Sequence, residues 1–249
     1  MEAIFERTKT ITPAPSSFCP GCMHAISARI IAESIDELGR HDDVISVMPI
    51  GCACLQMFHI DTQIVMSAHG RAAAVATGIK RSAPDHLVFS YQGDGDLAAI
   101  GTAETIHAAN RGENITVIMM NNSTYGMTGG QLSPTTLVGQ KATTAGPGGR
   151  NPDDVGYPMH MCEILNQLKA PAFIARVALD SPAHVNQAKA AIKKAFEIQL
   201  SRGGYCFIEI MCNCPTNWGM TPVDTLKFMR EKTMVEFPIG VIRDTEVTN

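Results

Sequence analysis

The chain has 249 residues, 45% hydrophobic and 18% charged, the values of a globular protein able to bury a substantial core as one large domain or a small pair. A net charge of −4 with no basic stripe excludes nucleic acid as a main partner. No run reaches the ~20 apolar residues that span a bilayer, and Met1–Lys9 lacks the apolar stretch of a signal peptide, so a soluble, cytoplasmic protein with no membrane partner is expected.

Residues 1–18 read as an arm, because Pro13 and Pro15 block regular structure. Cys19-Pro-Gly-Cys22 then opens into a helical pattern from Met23 to Leu38 that stops at Gly39. A strand over Asp43–Met48 runs into Pro49-Ile50-Gly51-Cys52-Ala53-Cys54. A shorter strand, Gln63–Met66, delivers Ser67-Ala-His69-Gly70-Arg71 to an Ala-rich helix that reaches about Arg81. His86–Tyr91 is a buried strand, Leu97–Asn110 a helix closed by Gly112, and Ile115–Met120 a second buried strand. These three make a β-α-β unit with a right-handed crossover and parallel strands. Ser123 to about Tyr157 is rich in Gly, Pro and Thr, and reads as a functional loop covering a ligand. A helix near Met159–Leu168, a strand at Ala172–Leu179, a helix at Pro182–Leu200 and a strand at Tyr205–Met211 follow. The last strand ends in Cys212-Asn-Cys214-Pro-Thr-Asn-Trp-Gly219. Beyond Thr221 one more helix is expected, then a tail from about residue 233 that docks on a partner. This alternation predicts an α/β fold in one domain, an open, mostly parallel sheet with helices on both faces.

Asp94 and Asn122 follow the carboxyl ends of the two strands of the β-α-β unit, on the sheet edge where open α/β folds bind ligands. A carboxylate and an amide oxygen are hard donors that suit an octahedral Mg²⁺ sharing its other positions with phosphate oxygens and water. Gly93 and Gly95 let the backbone approach a diphosphate. Gly93-Asp-Gly-Asp96, 25 residues from Asp96 through Met120, then Asn121-Asn122, resembles the thiamine diphosphate motif. That resemblance implies that Asp94, Asn122 and the carbonyl of Thr124 hold the metal.

Eight cysteines in a reducing compartment are better read as metal ligands, reactive thiols or buried small hydrophobes than as disulfides. Cys19/Cys22 form C-x-x-C, while Cys52/Cys54 and Cys212/Cys214 form C-x-C. Structural zinc in four thiolates, a redox pair at Cys19/Cys22, and a [4Fe–4S] cluster all remain open, the last drawing on all three segments at once. Ile50–Cys54, Ser67–Arg71, Gly93–Asp96, Asn121–Tyr125 and Cys212–Trp218 each sit past the carboxyl end of a strand, so a parallel sheet brings them to one edge. Cys162 and Cys206 read as packing.

Cys19-Pro-Gly-Cys22, Ile50-Gly-Cys52, His69-Gly-Arg-Ala72, Gly93-Asp-Gly-Asp96, Tyr125-Gly-Met-Thr-Gly-Gly-Gln131 with Ser133-Pro-Thr135, and Cys214-Pro-Thr216 together resemble the thiamine-diphosphate (β) subunit of the 2-oxoacid:ferredoxin oxidoreductases, of the 2-oxoisovalerate or 2-oxoglutarate type. The resemblance implies cluster ligands Cys19, Cys22, Cys52 and Cys214. It implies thiamine diphosphate contacts at Ile50, Gly51, Cys52, Ala53, His69, Gly93, Gly95, Asp96, Gly126 and Met127, with Met127 supporting the bent cofactor. It also implies oxidative decarboxylation of a 2-oxo acid, with electrons passing through the cluster to ferredoxin and the acyl group to coenzyme A. The glutamate that activates the aminopyrimidine would belong to another subunit of a hetero-oligomer. Phe18 stands where many relatives have Trp, and Cys54 and Cys212 are extra thiols beside proposed ligands. His69 is the candidate catalytic group, to hydrogen-bond the diphosphate or a substrate carboxylate; helix capping is its alternative. Glu104 and His107, three apart, are assigned to an ordinary helix face. A non-oxidative thiamine-dependent decarboxylase or synthase subunit would need no cluster, and a zinc-stabilised binding subunit no chemistry.

Overall fold

The computed structural model describes residues 7–246. Strands β1 (Val44–Met48), β2 (Gln63–Met66), β3 (Leu87–Gly93), β4 (Thr116–Asn121), β5 (Phe173–Ala178), β6 (Cys206–Met211) and β7 (Gly240–Asp244) form one sheet in the order β2-β1-β3-β4-β6-β5-β7. Every pairing is parallel except β5 with β7. The helices are α1 (His24–Glu37), α2 (Ala72–Ser82), α3 (Thr102–Asn110), α4 (Pro152–Val155), α5 (Met161–Asn166), α6 (Pro182–Ser201), α7 (Pro215–Trp218), α8 (Pro222–Phe228) and α9 (Met234–Glu236).

The central strands are apolar along their length because the sheet is covered twice. Alternate side chains of β1, β3 and β4, such as Met48, Phe89 and Ile118, pack with Ile31 and Ile35 of α1 and Phe196 of α6. Their neighbours Val47, Val88 and Val117 pack on the other face with Ala73 and Ala76 of α2, Ala108 of α3 and Leu165 of α5. The fold is thus the expected open α/β sheet with helices on both faces. Its register carries the chemistry: Gly93 pairs with Met120, and Asn121 with Met211. Asp94, Asn122 and Cys212 therefore leave the sheet side by side.

Three local expectations are corrected. The helix expected over Leu97–Asn110 begins as a wide π-helical turn, Asp96–Ile100, in which Gly101 N–H donates to Asp96 O at 2.9 Å. Gly101 is pressed there against the neighbouring loop, where a Cβ would lie 2.5 Å from Gly70 O, and α3 proper starts at Thr102. The described part of the arm is packed: Thr12 N donates to His59 O at 3.0 Å, Asp61 N to Thr10 O at 2.8 Å, and Phe18 stacks on His24 at 5.1 Å. Its prolines exclude a helix but not such single links. The expected tail contains β7, whose Arg243 donates to Asn166 Oδ1 at 3.0 Å and to Asn166 O at 2.6 Å. Residues 1–6 of the arm and 247–249 of the tail lie outside the described residues.

Candidate active site at the carboxyl edge of the sheet

A cavity of about 100 Å³ opens where β1, β3 and β4 end. Its wall includes the expected Ile50, Gly51, Cys52, Ala53, His69 and Gly93, and equally Gly95, Asp96, Asn122, Thr124, Gly126 and Met127. His24, Tyr125 and Thr128 line it as well. Asp94 lies just behind the lining, 2% exposed. Its Oδ2 accepts from the hydroxyls of Ser133, at 2.8 Å, and Thr135, and its Oδ1 accepts from Gly95 N at 2.9 Å. Burial pushes its carboxyl up to about 6, against the pull of these hydrogen bonds. Asn122, 6% exposed, turns its Oδ1 to Thr124 N at 3.1 Å, and Thr124 lies at the same corner.

The Gly-Asp-Gly turn is locked from above. Tyr125 O–H donates to Gly95 O at 2.9 Å, and a Cβ at residue 95 would stand 2.6 Å from Tyr125 Cζ. Only glycine fits beneath that ring.

Asp96 borders the cavity, and its carboxylate is also bonded within the protein. Its Oδ1 accepts from Gly70 N at 2.7 Å and pairs with His69 Nδ1, and its Oδ2 accepts from Gln92 Nε2 at 2.7 Å. An ionised carboxylate can only accept, which puts a proton on His69 Nδ1 and leaves Nε2 as the ring nitrogen available to a ligand. Capping is thereby excluded as the main role of His69, because its ring is bound to Asp96. Glu104 pairs with Arg71 at 2.8 Å, as an ordinary helix face would.

The cysteines come together on the same edge. Cys22, half-buried, is pushed up to about 11, chiefly by loss of solvent, with repulsion from Cys214 and Cys19 adding to it. Cys52 is pushed up to about 12 by burial and by Cys214, Cys22, Cys19 and Cys54. Among the described residues no three His, Cys, Asp or Glu side chains converge to hold a single metal ion. Asn213 ties the first pair to the last, accepting from Met23 N at 3.1 Å and donating to Gly21 O at 3.0 Å. Cys212 is wholly buried among these groups, whereas Cys214 is half-exposed. Cys162 does more than pack: its thiol donates to Glu209 Oε2 at 3.2 Å, inside a buried pair of Glu209 with Arg176 at 2.9 Å.

Several residues gain a role here that the sequence did not assign them. Ser133 and Thr135 act on Asp94 from 39 and 41 residues away. Arg150, 5% exposed, holds their loop by donating to six carbonyls, those of Ser133, Pro134, Thr136, Val155, Gly156 and Tyr157. His24 donates or accepts at Tyr91 O–H, 2.7 Å away, and burial lowers its pKa to about 4, so it borders the cavity as a neutral ring. Ser133 and Thr135 belong to the Ser133-Pro-Thr135 segment that carries the resemblance, whereas Arg150 and His24 lie outside those segments.

A family model described as "Thiamine pyrophosphate enzyme, C-terminal TPP binding domain" matches residues 49–210. The ketoisovalerate oxidoreductase subunit VorA of Methanothermobacter marburgensis is 47% identical over 98% of this chain, which spans 51% of that protein. The 2-oxoglutarate synthase subunit KorB of Methanocaldococcus jannaschii is 38% identical over 88% of this chain and 79% of its own length. Among solved structures, 2-oxoglutarate:ferredoxin oxidoreductase from Magnetococcus marinus, with 2-oxoglutarate, coenzyme A and succinyl-CoA bound, shares the fold with a TM-score of 0.78. That match covers 96% of this chain and 85% of the other at 24% identity. Sequence, fold and the Asp94–Asn122 corner agree: the chain belongs to the thiamine pyrophosphate-binding subunits of the 2-oxoacid:ferredoxin oxidoreductases, a family of multi-subunit enzymes.

Proposed function

We propose that this subunit serves the oxidative decarboxylation of a 2-oxo acid to its acyl-CoA, with Mg²⁺ held by Asp94, Asn122 and the Thr124 carbonyl and a [4Fe–4S] cluster held by Cys19, Cys22, Cys52 and Cys214. The observation that carries it is the double membership of Cys52, which lines the cofactor cavity and belongs to the thiol cluster. Thiamine diphosphate supplies the carbon nucleophile and electron sink that decarboxylation needs, and an iron–sulfur cluster takes up electrons singly.

The chain's own residues supply position. Ser133 and Thr135 fix the Asp94 carboxylate that meets the cation, while Gly93 and Gly95 allow the diphosphate close to the backbone. His69, fixed through Nδ1, offers Nε2 to a phosphate or a substrate carboxylate. Ile50 and Met127, 43% and 47% exposed, stand at the rim, where a bound cofactor would cover them and shed water. Among the described residues no glutamate lines the cavity, in keeping with an activating carboxylate from a partner subunit. Ferredoxin, coenzyme A and α- or γ-type subunits complete the proposed assembly. All eight cysteines are free, which supports a cytoplasmic setting.

Among the described residues the cavity lining contains no lysine or arginine, and Ile50 and Met127 make its rim apolar. An aliphatic 2-oxo acid such as 2-oxoisovalerate fits that wall better than a dicarboxylate. The decisive assay is coenzyme A-dependent reduction of a viologen dye by the purified complex, offered 2-oxoisovalerate, 2-oxoglutarate and pyruvate in turn. Fast reduction with the branched acid is expected from a brown, iron-containing preparation. A colourless complex that releases CO₂ without reducing the dye would instead establish a non-oxidative decarboxylase.

A further inference from the structure

Helix α7 starts directly after Cys214, with Pro215 in its first turn, and carries two side-chain donors back toward the sheet edge. Asn217 Nδ2 donates to Gly126 O at 2.8 Å and to Cys214 Sγ at 3.3 Å. The carbonyl of Gly126 can only accept, so the amide's orientation follows from chemistry: nitrogen, not oxygen, faces both partners. The opposite side of Asn217 is closed by Gly130, where a Cβ would lie 3.1 Å from Asn217 Oδ1. Gly126 itself rests on the thiol cluster, for a Cβ there would lie 3.0 Å from Cys52 Sγ. The next residue completes the fastening, since Trp218 Nε1 donates to Asn122 O at 3.1 Å. One helical turn thus touches a thiol of the cluster, the cavity wall at Gly126 and the metal corner at Asn122.

We propose that Asn217 is a positioning residue that links the two cofactor sites, holding the Gly126 wall of the thiamine cavity and raising the reduction potential of the cluster bound through Cys214. This rests on the cluster assignment made above. An N–H donor facing a ligand sulfur favours the state with more negative charge on the cluster, and a reduced cluster carries one electron more. Removing the donor makes reduction harder. Replacing it with a carboxylate makes reduction harder still, because a repulsive charge takes the donor's place.

The experiment is a redox titration of the purified complex, following the electron paramagnetic resonance of the reduced cluster, in wild type, Asn217→Ala and Asn217→Asp. Iron is assayed first. In Asn217→Ala the reduction equilibrium constant is expected to fall about threefold, about 28 mV for a one-electron couple, with iron content retained. In Asn217→Asp above neutral pH the fall is expected to reach about tenfold, about 59 mV. The apparent affinity for thiamine diphosphate is expected to drop in both variants, because the Gly126 carbonyl loses its anchor. Potentials equal to wild type at full iron content overturn the inference. Loss of iron from both variants overturns it as well, since Asn217 would then serve assembly rather than tuning. A wild-type complex without iron overturns the cluster assignment instead, and the initial iron assay tells these failures apart.

Discussion

Arg150 is the place where one side chain governs the order of the site from a distance. Replacing it with Met keeps the volume and removes six hydrogen bonds. The carbonyls of Val155, Gly156 and Tyr157 belong to exposed residues, where water takes the arginine's place at small cost. Those of Ser133, Pro134 and Thr136 lie on the inner side, and Ser133 and Thr136 are 3% and 0% exposed. Three bonds from a charged donor, at about 1.5 kcal/mol each, come to roughly 3 to 5 kcal/mol. The loss falls on a loop rather than on the sheet, so local opening precedes global unfolding. At 1.4 kcal/mol per tenfold, the opening equilibrium rises by about two to four powers of ten. Hydrogen–deuterium exchange with mass spectrometry reads this directly at the amides of Gly139, Thr143 and Met159, which bond within the loop. Their exchange is expected to accelerate by that factor while β3 and β4 stay protected, and thiamine diphosphate binding weakens as Ser133 and Thr135 release Asp94. Arg150→Lys should fall between, keeping the charge but not the fork. Unaltered exchange in Arg150→Met, or cooperative loss of the whole sheet, would refute the reasoning.

Asp94→Asn is expected to abolish thiamine diphosphate and Mg²⁺ binding yet stabilise the cofactor-free chain at neutral pH. Folding raises this carboxyl from 3.8 to about 6, so its contribution is present in full below about pH 4 and lost as pH rises through about 6, a span worth about 3 kcal/mol. Thermal denaturation of both proteins at pH 4 and pH 7 checks it, and an equal difference at the two pH values would contradict the assignment. Gly95→Ala drives a methyl into the Tyr125 ring and should cost about 1 to 3 kcal/mol while weakening cofactor binding, measured by denaturant titration and calorimetry. Cys214→Ala is expected to lose iron and Cys212→Ala to keep it, because Cys212 is wholly buried at the end of β6; elemental analysis showing the reverse would exchange the two assignments.

The order of strands and helices was readable because parallel strands buried on both faces are unbroken apolar runs, and Gly punctuates the helices between them. Asp94, Asn122, Cys52 and Cys214 were readable for a topological reason: each follows a strand, and parallel strands share a carboxyl edge. What the pattern could not show depends on contacts between distant segments. The π-helical turn at Asp96–Ile100 is set by Gly70 and Gly101 in close approach, and nothing in Leu97–Asn110 distinguishes it from a regular helix. β7 is short, half-exposed and without alternation, so only its pairing with β5 reveals it. Arg150 looks like any loop arginine until six carbonyls are seen to converge on it. Asp96 was placed at the right edge, but its bonds to His69, Gly70 and Gln92 could not be read from the sequence, because they join segments 26 or 27 residues apart as well as its own turn.

The indole that reaches Asn122 is the only one in the chain. A single indole thus stands beside the Asp94–Asn122 corner, and it can be excited at wavelengths that the four tyrosines do not absorb. Loading of the pocket can therefore be followed by light alone, in the unlabelled protein and in real time.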